Sequence, residues 1–138
     1  MAKRLGRVAL ELHVNVLACV TRHWLRDDDT LNIYGWWPDK GEGPVVIFSV
    51  AGFDDLPPAG AETDRAIANV LVSGLAGFLG GIDAHERGAK DCPMAANDAR
   101  NLKHIVGRQM FDRSCRAKLA KAIPDKLPAL DALLKVFR

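Results

Sequence analysis

The longest stretch without a formally charged residue runs from Ala66 to Ile82. Its apolar residues recur at helical spacing, and a second face carries small or polar side chains four residues apart. These small-face residues are Asn69, Ser73, Gly77 and Gly81. The pattern predicts a central buried helix with Thr63 as its N-cap and Gly80-Gly81 at its end. Because the small face allows close approach, we expect another element of the protein, or a partner, to pack there.

The segments before this helix have the patterns of strands. Apolar residues alternate with polar ones between Val8 and Val20, although the first half of this segment also fits a helix. We predict a strand near Val14 to Thr21. The apolar runs Leu31 to Trp37 and Val45 to Val50 flank a turn rich in glycine and proline, which predicts a hairpin-like pair of strands.

After the helix, residues 82–94 are irregular and crowded with potential metal ligands. Three helical patterns follow, at about 97–110, 112–122 and 127–137. The predicted fold class is therefore α+β, as one domain over residues 1–138. A small mixed β-sheet would pack against the central buried helix, with a helical C-terminal portion on the other side.

Composition supports a protein with a single hydrophobic core. The chain has 138 residues, of which 49% are hydrophobic and 26% charged. The uncharged stretch is at the lower length limit for a membrane span and is rich in glycine, so no membrane association is expected. Three cysteines without a framework spacing favour a reducing compartment, which predicts a cytoplasmic protein.

The charge is uneven along the chain. Basic residues outnumber acidic ones from Arg100 onward, whereas the remainder carries a net negative charge. Arg108, Arg113, Arg116 and Lys121 are therefore candidates for contacting nucleic acid or an acidic partner. The favoured alternative is that the two halves attract each other within the fold.

Adjacent tryptophans give a second candidate for partner binding. Trp36 and Trp37 lie at the end of a predicted strand, and tryptophan is enriched at interaction hot spots. One of two neighbouring strand residues must point inward, however, which leaves a purely structural role open. A protein partner or a second copy of the chain is possible on this pattern, and nucleic acid is not favoured.

A metal site is the leading chemical hypothesis. His85, Cys92, His104 and Cys115 are a histidine and thiolate set of the kind that binds zinc. Asp83, Asp91 and Asp112 could add oxygen ligands. No C-x-x-C occurs, so only the fold could bring these residues together. The alternative has no cofactor, with the cysteines as buried apolar residues and His85 and His104 on the surface.

The order of these motifs resembles the archaemetzincin family of small zinc metallopeptidases over about Leu17 to Leu119. The strand-like segments that carry the resemblance are Val20-Thr21, Leu31-Asn32-Ile33-Tyr34-Gly35 and Val45-Val46-Ile47-Phe48-Ser49. Leu79-Gly80 is similar to the leucine-glycine inside the family's zinc-binding motif. Cys92-Pro93-Met94 is similar to its Cys-x-Met turn, and Ser114-Cys115-Arg116 to the end of its final cysteine pair.

The departures from that family fall on its catalytic centre. Ser73, Gly74 and Gly77 stand where the family has the histidines and glutamate of H-E-x-x-H, and none of them can bind zinc or act as a general base there. The resemblance implies that the peptidase centre is lost. The family's second, cysteine-rich zinc site would retain two cysteines, with one histidine and one aspartate replacing the others. These residues are Cys92, Cys115, His85 and Asp112, forming either a modified structural zinc site or an eroded one.

The sequence leads to a preferred function and two alternatives. We expect a noncatalytic binding or regulatory domain that resembles a zincin without its catalytic metal, and therefore not an enzyme. The first alternative is a metal-dependent hydrolase using Asp83, His85, Cys92 and His104. The second is a module that binds nucleic acid or an acidic partner through the basic C-terminal helices.

Overall fold

The chain begins with a helix, as seen in a computed structural model that describes residues 2–26, 31–37, 43–55, 61–96 and 102–136. Helix α1 spans Ala2–Glu11. The ambiguous first half of the alternating segment is thus helical, and Val14 to Val16 precede the strand instead of belonging to it. Strand β1 spans Leu17–Thr21, which confirms the predicted strand over its second half.

Five short strands form two sheets in the described part of the chain. After β1 they are β2 (Leu25–Arg26), β3 (Leu31–Ile33), β4 (Gly35–Trp36) and β5 (Val45–Ser49). Strand β5 is central in the larger sheet: it pairs parallel to β1 and antiparallel to β4, and all of its residues are buried. The mixed sheet and the pairing of β4 with β5 agree with the prediction. The predicted strand Leu31 to Trp37 is divided at Tyr34, because β3 pairs with β2 in a separate sheet.

Helix α2 spans Ala61–Gly80 and is the predicted central helix. It begins two residues before Thr63, so the prediction that Thr63 is the N-cap is wrong. Its end is as predicted: Gly81 has a φ of 59°, a left-handed conformation that glycine adopts without strain and that commonly ends helices. Within the residues described, no helix has the length and apolar character needed to cross a bilayer.

Glycines let neighbouring elements approach α2 closely on both sides. A Cβ at Gly74 would lie 2.2 Å from Cε1 of Phe48, and one at Gly77 would lie 2.6 Å from Cζ2 of Trp37. On the other side, a Cβ at Gly80 would lie 2.5 Å from Cδ2 of Leu119. Alanine at any of these positions would displace its neighbour, so packing accounts for the glycine content of the helix.

In the described part of the chain three helices follow α2: α3 (Leu102–Val106), α4 (Arg113–Ala122) and α5 (Leu127–Leu133). The prediction for α4 is confirmed, with Asp112 as its N-cap. Helix α3 ends at Val106 instead of residue 110, and α5 ends at Leu133 instead of residue 137. The predicted start at 97–101 and the last predicted residue, 137, lie outside the described residues.

Among the described residues the hydrophobic core has two clusters, one on each side of α2. The sheet-side cluster is Val46, Phe48, Phe53, Ala66, Val70 and Ile105. The C-terminal cluster is Val72, Ala76, Ile82, Cys92, Met94, Phe111, Cys115, Leu119, Leu127, Leu130 and Leu134. Helix α2 contributes to both, which agrees with the predicted α+β arrangement. The candidate site lies in the C-terminal cluster, because Cys92 and Cys115 belong to it.

Candidate metal centre

Four potential metal ligands from separate parts of the C-terminal half meet in space. His85, Cys92, Asp112 and Cys115 each offer one ligand atom, and these atoms all lie within 4.8 Å of one another. Donor atoms around a tetrahedral zinc lie about 3.3 to 3.8 Å apart, given Zn–N near 2.0 Å and Zn–S near 2.3 Å. The cluster therefore has the composition and approximately the size of a zinc site.

His85 and Asp112 already have the spacing of two ligands. Nε2 of His85 lies 3.2 Å from Oδ2 of Asp112, with both side chains mostly buried. Among the described residues Nδ1 of His85 has no partner and Nε2 has only the carboxylate of Asp112, although both nitrogens are shielded from solvent. Buried imidazole nitrogens almost always have partners, so the unpartnered Nδ1 fits a histidine that would ligate a metal.

The start of α4 positions three of the four ligands. Oδ1 of Asp112 accepts a hydrogen bond from the backbone N–H of Cys115 at 2.8 Å, which leaves Oδ2 directed toward His85. The backbone N–H of Asp112 donates to Sγ of Cys92 at 3.4 Å. Such outer contacts orient ligands and favour a charged sulfur. Asp112 thus caps the helix with one oxygen and can offer the other to a metal.

Gly88 lies in the same loop, close to His85 and Asp112. Its φ is +134°, and a Cβ there would lie 2.8 Å from Oδ2 of Asp112 and 3.0 Å from Cε1 of His85. A side chain at this position would therefore enter the space between the two ligands. Gly88 was not among the predicted site residues, because its proximity to His85 and Asp112 depends on the fold.

Backbone hydrogen bonds hold the ligand-bearing loop in place. His85 donates to the carbonyl of Met94 and accepts from the N–H of Ala96, both at 2.9 Å. Arg108 donates from Nη1 to the carbonyl of Pro93 at 3.0 Å and from Nη2 to that of Ala95. The loop that carries His85 and Cys92 is therefore preorganised in spite of its irregular conformation.

Without a cation, ionisation of all the acidic groups in the cluster would be electrostatically unfavourable. Burial, with Cys92 and Asp112 close by, raises the pKa of the Cys115 thiol to about 12. In contrast, the hydrogen bond from the Cys115 backbone lowers the pKa of Asp112, against an opposing effect of its burial. A bound divalent cation would instead lower the pKa of the Cys115 thiol, because a coordinating thiol gives up its proton.

The remaining candidate ligands lie elsewhere. Among the described residues the group does not include Asp83, Asp91 or His104, all of which are exposed. His104 and His85 do share a cleft of about 110 Å³ beside the cluster. The fold thus brings together the four residues implied by the family resemblance, and it leaves His104 on the surface.

The candidate residues for partner binding have different environments. Trp37 packs against Gly77 and the sheet-side core, and Trp36 is half-buried.

Arg108 is only 5% exposed, which does not fit the prediction that it contacts a partner surface. Arg116 is paired with Asp131 through two hydrogen bonds. Arg113 and Lys121 are exposed, and their role in binding stays a prediction.

A different tryptophan is the exposed one. Trp24 is 55% exposed, and Leu10, Leu12 and Val20 are also exposed in the N-terminal part of the chain. Trp24 was not among the residues predicted to bind a partner, because it is a single tryptophan between His23 and Leu25. Trp24 therefore fits the expected contact with a protein partner or a second copy of the chain as well as Trp36 and Trp37 do.

Comparison with known proteins found no relative: no protein-family model, no curated protein and no solved structure matches this chain.

Proposed function

We propose that this chain is a noncatalytic binding domain whose C-terminal half is stabilised by a zinc ion held by His85, Cys92, Asp112 and Cys115. The observation that carries the proposal is the convergence of these four donors. Structural zinc sites use four protein ligands, whereas catalytic sites use three and keep one position open for water. A closed set of four residues thus favours a structural role.

The position of the cluster supports the same assignment. Cys92 and Cys115 belong to the C-terminal core, and the four ligands come from the loop after α2 and from the start of α4. An ion there would join an irregular loop to a helix. Small domains commonly use a metal in this way to stabilise segments that have little regular structure of their own.

The packing of α2 supports the absence of a catalytic metal on that helix. Gly74 and Gly77 stand at two of the positions where the archaemetzincin family has the residues of H-E-x-x-H. They face the rings of Phe48 and Trp37. The third, Ser73, lies 3.9 Å from the sulfur of Met94 through its hydroxyl. Apolar side chains of the same protein therefore occupy the places where ligands and a substrate would be required.

Metal analysis of the purified protein tests the proposal. We expect about one zinc per chain, and we expect Cys92→Ser and Cys115→Ser to lose most of it because serine is a poor zinc ligand. Cys19→Ser is the matched control: Cys19 lies in β1, outside the cluster, and this variant should retain the full zinc content.

Two outcomes would contradict the proposal. The first is a folded wild-type protein that binds no zinc even when zinc is supplied. The second is zinc-dependent cleavage of peptides by the wild-type protein, abolished by substitution of Ser73, since this would place a catalytic metal on α2.

A further inference from the structure

Strand β1 is an open edge of the larger sheet. Among the described residues it pairs with β5 on one side and with no strand on the other. The opposite edge strand, β4, has only two residues, whereas β1 has five. Proteins usually protect an edge of this length from pairing with another chain by lysine, proline or a bulge. Strand β1 contains neither residue type, and its register with β5 is uninterrupted.

The hydrogen bonds at the two ends of β1 show which backbone groups face outward. The N–H of Leu17 donates to the carbonyl just before β5 at 2.7 Å, and the carbonyl of Thr21 accepts from the N–H just after β5 at 2.9 Å. Alternate residues of a strand direct their backbone groups to opposite edges, so Ala18 and Val20 direct theirs away from β5. Within the described part of the chain, no backbone hydrogen bond reaches these outward groups.

The side chains around this edge are apolar and uncharged. Val20 is 58% exposed, and no formally charged residue occurs from Asn15 to Thr21. Of the nine large hydrophobic side chains that are exposed in the described residues, six lie between Val8 and Trp24. A stable dimer buries roughly 1,200–2,000 Å² in all, more than a five-residue strand supplies. The exposed apolar residues before and after β1 are therefore the ones that would complete such an interface.

We propose that two copies of this chain pair through β1 in antiparallel orientation, which joins their sheets into one continuous sheet across a two-fold axis. The strand is complementary to itself about Cys19. In that register Ala18 of one copy lies opposite Val20 of the other, and their outward groups form four hydrogen bonds between the copies. A register centred on Ala18 or Val20 would instead set one of them against a residue outside β1.

The register centred on Cys19 also keeps like charges apart. Arg22, the charged residue nearest to β1, lies three positions from the axis. The two Arg22 residues of a dimer would thus be about 20 Å apart along the strands. A bound peptide of another sequence needs no two-fold match, so the self-matched edge favours a second copy as the occupant. The inference goes beyond the proposed zinc centre and does not depend on it, because β1 lies outside the metal cluster.

Hydrogen exchange of single amides, followed by NMR on the full chain as purified, tests the pairing. Analytical ultracentrifugation first gives the concentration at which half of the chains are dimeric. Above it we expect slow exchange of the Ala18 and Val20 amides, and below it fast exchange, because only the dimer gives them acceptors. The amide of Cys19 is directed toward β5 and should be protected in both states.

Substitutions of Val20 sharpen the test. Val20→Pro removes an outward N–H from each copy and keeps the hydrogen bonds to β5, so it should weaken the dimer by about tenfold or more. Val20→Lys brings two like charges near each other across the paired strands and should weaken it by about fivefold or more. Val136→Lys is the matched control, because Val136 is 60% exposed and lies outside β1. Should Val20→Pro fail to fold, the comparison of the two lysine variants decides.

Oxidation by diamide tests the register. Opposite residues at a position without hydrogen bonds have Cα atoms about 4.5 Å apart, which a disulfide can span. In the dimer the two Cys19 thiols should pass their hydrogens to diamide and form a disulfide between the copies, identified by mass spectrometry of the peptides. Cys19→Ser should still dimerise but give no such link.

Several results would overturn the inference: a monomer at every concentration, a dimer in which Ala18 and Val20 exchange as fast as in the monomer, or equal effects of Val20→Lys and Val136→Lys. Protection of these amides only on addition of an extended peptide would assign the edge to a peptide. A dimer without the Cys19 disulfide would overturn the register. Zinc is measured on the same sample: a zinc-loaded monomer would contradict the pairing alone, and a zinc-free dimer the metal centre alone.

Discussion

Aromatic rings cover the sheet-facing side of α2, while the opposite side meets short helices and an irregular loop. On the first side, Phe48 and Trp37 fill the space above Gly74 and Gly77. On the second side the core also contains Cys92 and Cys115, next to the half-buried His85 and Asp112. The sheet side is therefore filled mainly by apolar side chains, with the buried Asn69 donating to the carbonyl of Ile105, whereas the C-terminal side gathers four potential metal ligands.

This difference is consistent with the position of the proposed metal centre on the C-terminal side of α2. The buried strand β5 supplies the sheet side with a continuous apolar surface. The loop at residues 82–96 has no helix or strand, only one isolated β-bridge between His85 and Ala95. A metal bound by residues of this loop and α4 would supply the long-range connection that regular structure supplies on the sheet side.

Removal of the metal should have the largest effect, and it should be confined to the C-terminal side. With free zinc at a thousandfold its Kd, the bound ion would stabilise the fold by about 4 kcal/mol. Hydrogen exchange with and without a strong chelator measures the loss. We expect faster exchange over residues 82–96 and in α4, with β5 and the sheet side of α2 little changed.

Equal acceleration of exchange on both sides of α2 would contradict this separation, as would a chelator without any effect on a protein that contains zinc.

Gly74→Ala should damage the sheet side without affecting the metal. The added Cβ would lie 2.2 Å from a ring atom of the buried Phe48, so we expect a loss of about 1–3 kcal/mol in the free energy of unfolding. Gly6→Ala in α1 is the matched control, because nothing lies within 4 Å of its Cβ position and alanine favours helix by about 0.5–1 kcal/mol.

Chemical denaturation measures both variants. A Gly74→Ala protein as stable as Gly6→Ala would refute the close contact with Phe48, and loss of zinc from Gly74→Ala would refute the independence of the two sides.

Substitutions of Asp112 should separate helix capping from metal binding. Asparagine is as good an N-cap as aspartate but offers no carboxylate, whereas alanine loses both functions. We expect both variants to bind zinc at least tenfold more weakly. In the presence of chelator, only Asp112→Ala should lose stability, by about 1 kcal/mol relative to the wild type.

Zinc affinity by competition and stability in chelator are the two measurements. Undiminished affinity in Asp112→Asn would show that the carboxylate is not a ligand.

Loss of the ion pair between Arg116 and Asp131 should have the smallest effect. The two side chains are joined by hydrogen bonds of 2.9 and 2.7 Å, but Arg116 is half-exposed. We therefore expect Arg116→Gln to reduce the free energy of unfolding by less than about 1 kcal/mol, and less at high salt. A loss as large as that of Gly74→Ala would indicate that the C-terminal helices depend on charge more than on their apolar core.

Sequence patterns predicted the parts of this fold that depend on local order. The helix from Asp112 to Ala122 and the apolar strand β5 follow from capping and from a continuous apolar run. The division of the strand at Tyr34 and the burial of Arg108 were not predicted, because both depend on residues distant in sequence.

The candidate site shows the same limit. Residue chemistry selected His85, Cys92, Cys115 and Asp112, but also Asp83, Asp91 and His104, and spacing could not choose among them. The family resemblance narrowed the set to four residues, and the fold brings those four together. The environment of Gly88 could be recognised only in three dimensions, since it depends on the approach of Asp112 to His85.

Cobalt substitution is the sharpest test of the metal centre, because the absorption spectrum of bound Co²⁺ reports ligand type and geometry together. We expect one Co²⁺ per chain, with the intense visible bands of a tetrahedral site and sulfur-to-cobalt charge transfer. Both features should weaken in Cys92→Ser and Cys115→Ser and stay unchanged in Cys19→Ser. Weak octahedral bands without charge transfer, or a spectrum altered equally by all three substitutions, would contradict a closed zinc centre at His85, Cys92, Asp112 and Cys115.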